Sequence, residues 1–300
     1  MKRGSMAGFR SAALLVTLGL PGVAWGCPCA SAGPSWTALT NPDERFAARA
    51  TVSYWREMAS WDEAGRAYPT PSGVRVQRGI LELAVAWRPW LRWEFSLGWG
   101  AAITEAVQPG AQDLAARSGD LTTRARWEPF RDDLSHVAVS AGLRAPVGGD
   151  GSGSFAGAVS ALGLGTWELS LGAEYGRRFG ERWTVTGIAE FAARAPQEVS
   201  NVTYTQGLRA ALTAMGAFEV TEMLALTAST TGWWESNVWR GGESVEATSI
   251  RRWSMGLGAV IAPRGRLRAT FGVSIDPWFD GAGTNGTAAL RAMAGVWYAR

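Results

Sequence analysis

The sequence predicts an all-β protein: a transmembrane antiparallel up-and-down β-barrel of about 12 strands, after a cleaved signal peptide. Three observations predict this fold. Apolar and polar residues alternate along most of the chain after residue 45, short and long connections alternate between these segments, and aromatic residues gather near the segment ends. The three patterns are typical of a barrel in the bacterial outer membrane, where each strand turns one face to lipid and the other to the lumen.

The alternation has a period of two residues, which is the period of a β-strand. Residues 91–99 read LRWEFSLGW, and residues 167–175 and 267–276 repeat the same pattern. Each predicted segment is about long enough for a tilted membrane strand of about 9–11 residues. The predicted strands are 45–56, 74–88, 91–104, 119–129, 135–146, 165–178, 182–194, 202–218, 223–234, 248–262, 266–277 and 286–299.

The connections between these strands alternate strictly in length. The long ones are rich in glycine, proline, serine and acidic residues, and the short ones read as tight turns. Outer-membrane barrels have short periplasmic turns and longer external loops. We therefore expect an even number of strands and both chain ends on the periplasmic side. The predicted long loops are 57–73, 105–118, 147–164, 195–201, 235–247 and 278–285.

The first 26 residues predict a secretory signal peptide. Three basic residues precede an apolar run at 12–20, which is shorter than the roughly 20 residues that span a bilayer. We expect a periplasmic N-terminal segment at 27–44 and the barrel at 45–300. Cys27 and Cys29 are too close in sequence for a disulfide of ordinary geometry. Two possibilities stay open for Cys27, lipidation and plain cleavage just before it.

The numbers of charged residues and of histidines limit which partners and cofactors we expect. The chain has 29 basic and 26 acidic residues, and three of the basic ones lie in the predicted signal peptide. The remaining chain is balanced, so we expect no nucleic-acid partner. His136 is the only histidine, which leaves too few ligands for a metal site, and no cofactor is expected. The expected partners are outer-membrane lipid, a small-molecule solute and the barrel-assembly machinery.

Aromatic residues mark both ends of the predicted strands. Tryptophan and tyrosine prefer the interfaces of a membrane, where their amphipathic rings form two girdles. We therefore predict one girdle near the tight turns and another near the long loops. The members of the two girdles together are Trp87, Trp90, Trp99, Trp127, Trp167, Tyr175, Trp183, Phe218, Trp253 and Tyr298.

If the large apolar side chains face lipid, the alternate positions face the lumen. Those positions carry many arginines and carboxylates, which pair well through the guanidinium fork. The sequence thus predicts a charged belt along the lumen, and two interpretations remain open: a polar conduit or an ion-paired plug. The belt consists of Arg92, Glu94, Arg124, Arg126, Glu128, Arg144, Glu168, Glu174, Glu190, Arg209, Arg268 and Arg291.

Three stretches resemble a known family. These are SGDLTTRARWEPF at 118–130, VAVSAGLRAPVGGDG at 137–151 and GLGTWELSLGAEYGRRFGERW at 163–183. They are similar to outer-membrane barrels of the phenol-degradation MetA-pathway type, over about 65 central residues. The chain departs from the usual pattern at its end, which reads WYAR without a final phenylalanine. The resemblance implies an outer-membrane transporter, and it alone suggests aromatic or apolar solutes.

The sequence therefore predicts a channel or transporter for passive passage of small solutes across the bacterial outer membrane. A plugged structural or surface barrel is the alternative, and an outer-membrane hydrolase is a further one. A hydrolase of the serine type needs a histidine base and an orienting group. His136 falls beside the 129–135 turn with Asp132 and Asp133 nearby, where we expect it to be solvated. The chain is therefore not predicted to be an enzyme.

Overall fold

The structure is a computed structural model that describes residues 44–148, 166–199, 202–263 and 265–300. The predicted signal peptide at 1–26, both cysteines and most of the predicted N-terminal segment lie outside the described residues. Most of the loop predicted at 147–164 lies outside them as well. Within the described part of the chain, no helix is long and apolar enough to cross a membrane.

Twelve long antiparallel strands form the body of the molecule, in agreement with the predicted fold. Their bounds differ from the predicted ones mostly by a few residues. In chain order they are β1 Phe46–Trp61, β2 Arg75–Trp90, β3 Trp93–Gln108, β4 Leu121–Arg131, β5 Ser135–Ala145, β6 Glu168–Phe179, β7 Trp183–Arg194, β8 Arg209–Thr221, β9 Leu224–Glu235, β10 Ile250–Ile261, β11 Leu267–Ile275 and β12 Gly286–Ala299.

The sheet closes on itself, so these strands leave no open edge. Each strand pairs with its neighbours in sequence, and β12 pairs with β1 from Ala47–Ala299 to Trp61–Gly286. The carbonyl of Arg300 accepts hydrogen bonds from the backbone N–H groups of Arg45 and Phe46. The start of β1 and the end of β12 therefore meet at the barrel end that carries the tight turns. The predicted even strand count is confirmed.

Two predicted boundaries are wrong. The loop predicted at 105–118 is a hairpin, because β3 runs to Gln108 and Ala111–Ser118 pairs back onto it. A Pro109-Gly110 turn closes this hairpin, with Gly110 in the left-handed region at φ 81°. The end of the hairpin carries polar side chains rather than a continuous apolar face, which is why the periodicity there is weak.

The strand predicted at 202–218 is two separate elements. Val202–Thr205 belongs to a small sheet with Gln197–Val199, Trp239–Arg240 and Glu243–Ser244, and β8 begins only at Arg209. Gly207 lies between the two elements, and a Cβ there would overlap the backbone carbonyl of Ser236. This close approach allows the chain to leave the small sheet and enter the barrel. The small sheet joins two long connections at one end of the barrel.

The two faces of the barrel have inverted polarity compared with a soluble protein. Large apolar side chains such as Leu97 and Leu171 are exposed on the outer surface. Alanine, threonine and charged side chains are buried on the inner surface. An exposed apolar band is what a lipid environment requires, and a polar interior is typical of outer-membrane barrels. The predicted assignment of faces agrees with this burial pattern at both leucines.

Candidate functional site

The interior of the barrel is the candidate functional site, because it collects most of the charged side chains of the strands. Eleven of the twelve residues of the predicted belt lie on strands and are buried or half-buried in the interior. Arg92 is the exception and that prediction is wrong, because Arg92 lies in the two-residue turn between β2 and β3 and is exposed. A turn residue leaves the strand alternation, so the period-two rule does not apply to it.

The first group of charges lies in the half of the lumen that adjoins the tight turns, which we call the turn-side cluster. Glu94 accepts two arginines there, with Arg88 Nη2 at 3.5 Å and Arg124 Nη2 at 3.4 Å from its carboxylate oxygens. All three side chains are almost completely buried. A buried charge destabilises the fold unless it is paired, and here each of the two buried guanidinium groups lies beside the carboxylate of Glu94.

Arg126 is the centre of the turn-side cluster. Its Nη1 lies 3.0 Å from Glu128 Oε2 and its Nη2 lies 2.9 Å from Glu174 Oε1, so one guanidinium joins carboxylates from β4 and β6. Glu128 also pairs with Arg131. Arg126 as a whole residue is only 1% exposed. The cluster is therefore a continuous ion-paired network across neighbouring strands.

His136 belongs to the same cluster, so the expectation of a solvated histidine is wrong. The residue is buried on β5, and its Nε2 lies 2.7 Å from Glu174 Oε1. Its neighbour across the ladder is Gly176, where a Cβ would overlap the imidazole ring. The missing side chain at Gly176 gives the ring its space. Asp132 instead caps the turn, since its Oδ1 accepts a hydrogen bond from the backbone N–H of Leu134 at 2.8 Å.

A second group of charges lies near the loop end of β6, β7, β8 and β9. Glu168 binds Arg194 Nε at 3.0 Å and Arg209 Nη2 at 3.1 Å, and Arg209 also binds Glu190 at 2.6 Å. Arg194 continues to Glu235 at 2.7 Å. Arg194 and Glu235 are not among the residues of the predicted belt. The alternation of β7 and β9, continued to their last residues, would have placed both of them inside.

The opposite wall carries two further pairs. Arg291 makes two hydrogen bonds to the buried carboxylate of Asp276, at 3.1 and 2.7 Å. Arg268 pairs with Glu44, just before β1. Arg268 also lies over the ring of Trp297, with its Cζ 5.3 Å from the ring centroid. The predicted belt is therefore several separate groups of ion pairs in the described residues.

An open cavity of about 510 Å³ lies in the loop-side half of the lumen. Five arginines and three carboxylates line it together with tryptophans and aliphatic side chains. Arg49, Arg78 and Arg252 stand out because each has a buried Nε without a hydrogen-bond partner among the described residues. The charged residues of the lining are Arg49, Arg78, Arg144, Arg252, Arg291, Glu57, Glu82 and Asp120.

Two of these arginines lie on tryptophan rings inside the cavity. The Cζ of Arg78 is 5.3 Å from the ring centroid of Trp55, and the Cζ of Arg252 is 4.4 Å from that of Trp233. Arg78 and both tryptophans are absent from the predicted lumen residues, and the tryptophans are absent because large apolar side chains were assigned to the outer face. Only the positions of Trp55 and Trp233 within the alternation could have indicated that they face inward.

The predicted aromatic residues lie on the outer surface. Trp87, Trp90 and Trp183 are more than half exposed near the tight turns, whereas Trp167 is half exposed at the loop end. Phe218 packs on Trp183 with ring centroids 4.5 Å apart. This arrangement fits two interfacial girdles. The remaining members, also at the surface, are Trp99, Trp127, Tyr175, Trp253 and Tyr298.

Comparisons with solved structures place this fold among bacterial outer-membrane barrels. An outer membrane channel from Pseudomonas putida F1 aligns with a TM-score of 0.71 and 13% identity, over 87% of this chain and 97% of that one. The β-domain of the Bordetella autotransporter BrkA aligns with a TM-score of 0.52 and 13% identity, over 86% of this chain and 100% of that one. No family model matches the sequence, and no curated protein does.

The class of protein is therefore the outer-membrane β-barrel: a closed barrel of twelve antiparallel strands with an apolar outer band and a charged lumen. The predicted fold class and the predicted location in the bacterial outer membrane agree with this result. At 13% identity the likeness to either solved structure concerns the fold alone.

Proposed function

We propose that this chain is a passive channel or transporter for small solutes in the bacterial outer membrane. The observation that carries the proposal is the cavity of about 510 Å³ inside the barrel. Cavities of about 300–1,000 Å³ are the size that small-molecule ligands occupy in proteins. A protein that only needed a filled lumen would gain nothing from this open space. The fold shared with the Pseudomonas putida F1 channel supports the same choice.

We further propose that the solutes are aromatic or apolar in part. The resemblance of residues 118–183 to the MetA-pathway type of barrel supports such solutes, and so do Trp55 and Trp233 in the cavity. Outer-membrane lipid is the partner expected at the apolar surface, and the barrel-assembly machinery is the partner expected during insertion. His136 is only 6% exposed, which leaves its ring little access to a substrate and argues against its use as the base of a hydrolase.

A plugged structural barrel is the second candidate, and the turn-side cluster favours it. Arg88, Glu94, Arg126, Glu128 and Glu174 are each at most 6% exposed, so their side chains pack closely in that half of the lumen. A channel with this cluster needs either a narrow path beside it or a rearrangement of its ion pairs. The two candidates therefore differ in whether ions cross the turn-side half.

A planar-bilayer recording on the refolded chain tests the proposal. We expect a small stable conductance for the wild type. We expect a larger conductance for the double variant Arg124→Ser, Arg126→Ser, because two large side chains leave the turn-side cluster. Any preference for anions should weaken, since charged groups in a pore set its selectivity. The outward-facing variant Arg251→Ser is the matched control and should conduct as the wild type does.

Folding must be checked for each variant, for example by the shift in gel mobility on heating that is typical of folded barrels. Silent bilayers for both the wild type and a folded double variant would reject the channel and support the plugged barrel.

A further inference from the structure

The loop-side cavity contains two guanidinium groups that form no salt bridge with a carboxylate of the described residues. Arg78 and Arg252 line the cavity, and neither forms a salt bridge among the described residues. Each has a buried Nε without a hydrogen-bond partner in the part of the chain that the structure describes. A buried charged donor without an acceptor costs free energy, so such a group favours the binding of an oxyanion or ordered water. The two arginines thus form the cationic part of a potential ligand site.

The remaining charges of the cavity limit the ligand's charge. Arg291 is paired with Asp276, and Arg49 lies on the strand next to that of Glu82. Arg144 lies 3.9 Å from Glu168, and Glu57, Glu82 and Asp120 line the same cavity. Their carboxylates repel anions, and this repulsion grows with the charge on the ligand. A monoanion therefore fits the site better than a phosphate ester or another polyanion.

The uncharged lining indicates what else the ligand contains. Trp55 and Trp233 supply two aromatic surfaces, and Ile80 and Met293 supply aliphatic ones. In both arginine–tryptophan pairs the guanidinium already lies over the ring, which fixes its position. An apolar or planar group of a ligand gains contact with these surfaces, whereas an inorganic ion does not.

We propose that this cavity binds a small organic monoanion, with its oxyanion head at Arg78 and Arg252 and its apolar or planar body against Trp55 and Trp233. The inference rests on the proposed function, because it names the class of solute that would pass through or be held in this lumen. Carboxylates and sulfonates share the required head chemistry, and the experiment separates them.

Isothermal titration calorimetry on the refolded, detergent-solubilised chain measures this binding without requiring conduction. Benzoate and benzenesulfonate are the anionic probes, benzyl alcohol is the uncharged one and chloride is the inorganic one. Titration into detergent alone is subtracted. We expect binding of benzoate or benzenesulfonate, or of both, with at least tenfold weaker binding of benzyl alcohol and of chloride. The better of the two anions identifies the preferred head group.

Variants then test the assigned residues. The substitutions Arg78→Gln and Arg252→Gln should each weaken binding of the preferred anion about tenfold, the effect of losing one charge-assisted hydrogen bond. Arg251→Gln is the matched control, because Arg251 is adjacent in sequence to Arg252 but exposed on the outer face. This control should bind as the wild type does. The probe series on the wild type still tests the proposal if a variant does not fold.

Several results would overturn the proposal. Equal binding of benzoate and benzyl alcohol would show that the site does not recognise the anionic head group. Equal binding of benzoate and chloride would show that it does not recognise the apolar body. No heat from any probe, with a barrel that conducts in bilayers, would reject this ligand site while leaving the proposed channel standing. Selective anion binding by a barrel that is silent in bilayers would support the site and reject the channel.

Discussion

The two halves of the lumen are built from the same residue types but differ in how their charges are matched. In the turn-side cluster Arg126 lies within 3.0 Å of two carboxylates and is 1% exposed. In the loop-side cavity Arg78 and Arg252 lie on tryptophan rings and have no salt bridge among the described residues. The number of charged residues in each half of the lumen therefore does not distinguish an ion-paired plug from a binding site. The distinction depends on whether each arginine lies beside a carboxylate or beside a tryptophan ring.

The strand register explains part of this difference. Arg126 lies directly across the ladder from Glu94, in the β3–β4 pair. Arg78 lies across from Trp55, and Arg252 lies across from Trp233. Directly opposed side chains are the closest neighbours in an antiparallel sheet and interact most strongly. Direct opposition therefore accounts for the arginine–tryptophan pairs, whereas Arg126 makes its ion pairs with Glu128 on its own strand and with Glu174 on β6.

The largest expected contrast concerns the orientation of these two halves. In a background where Cys27 and Cys29 are serine, Ser72→Cys in a long connection should react with an impermeant thiol reagent on intact cells. Glu181→Cys in a tight turn should react only after the cells are opened. Both positions are exposed in the structure. Equal labelling of the two on sealed cells would contradict an external cavity and a periplasmic cluster.

The next contrast is the stability of the turn-side cluster. Replacing Arg126 by Ser should lower the free energy of unfolding by about 3–5 kcal/mol, because it leaves buried carboxylates without a partner. Arg75→Ser, which removes an exposed pair with Glu105, is the control and should cost at most about 1 kcal/mol. Urea-induced unfolding in lipid vesicles measures both. A cost at Arg126 no larger than at Arg75 would mean that the cluster is well hydrated.

A smaller contrast tests the assignment of the two faces beside the cavity. Val52 is 60% exposed on the outer surface, and Ser53 lines the cavity. Val52→Arg should cost about 2–4 kcal/mol if the site lies near the bilayer midplane. Ser53→Arg should cost clearly less, because the cavity can hydrate the charge. The same vesicle assay measures both, and a larger loss for Ser53→Arg would reverse the face assignment of β1.

The smallest expected effect lies in a turn next to the turn-side cluster. Hydrogen bonds from the backbone N–H groups of Leu134 and Ser135 hold the pKa of Asp132 below its ordinary value. Because the pKa is lowered, the charged side chain stabilises the fold at pH values above the ordinary aspartate pKa of about 3.9. This stabilisation is lost as the pH falls through the pKa of the folded state. Asp132→Asn should therefore reduce the pH dependence of unfolding below about pH 4. If the variant and the wild type show the same dependence of unfolding on pH, the charge of Asp132 does not stabilise the turn.

Much of this architecture could be predicted from the sequence. Alternation at 91–99 and 167–175 placed the outer leucines correctly, because a strand in lipid must turn every second side chain to the hydrocarbon. The connection lengths predicted the even strand count for a different reason. An up-and-down chain that returns to the end where it started has crossed the membrane an even number of times. The hairpin at 105–118 was missed because, beyond the membrane, a strand needs no apolar face.

The sequence by itself determined the fold class, the two faces of the strands and the types of side chain that enter the lumen. The tertiary structure decided which of these side chains meet. Arg126 and Glu174 are 48 residues apart, and Arg194 and Glu235 are 41 apart, so their contacts depend on the register of several strands and on closure of the barrel. The alternation specifies a face but not a height along the barrel axis, and height decides whether an arginine meets a carboxylate or a tryptophan.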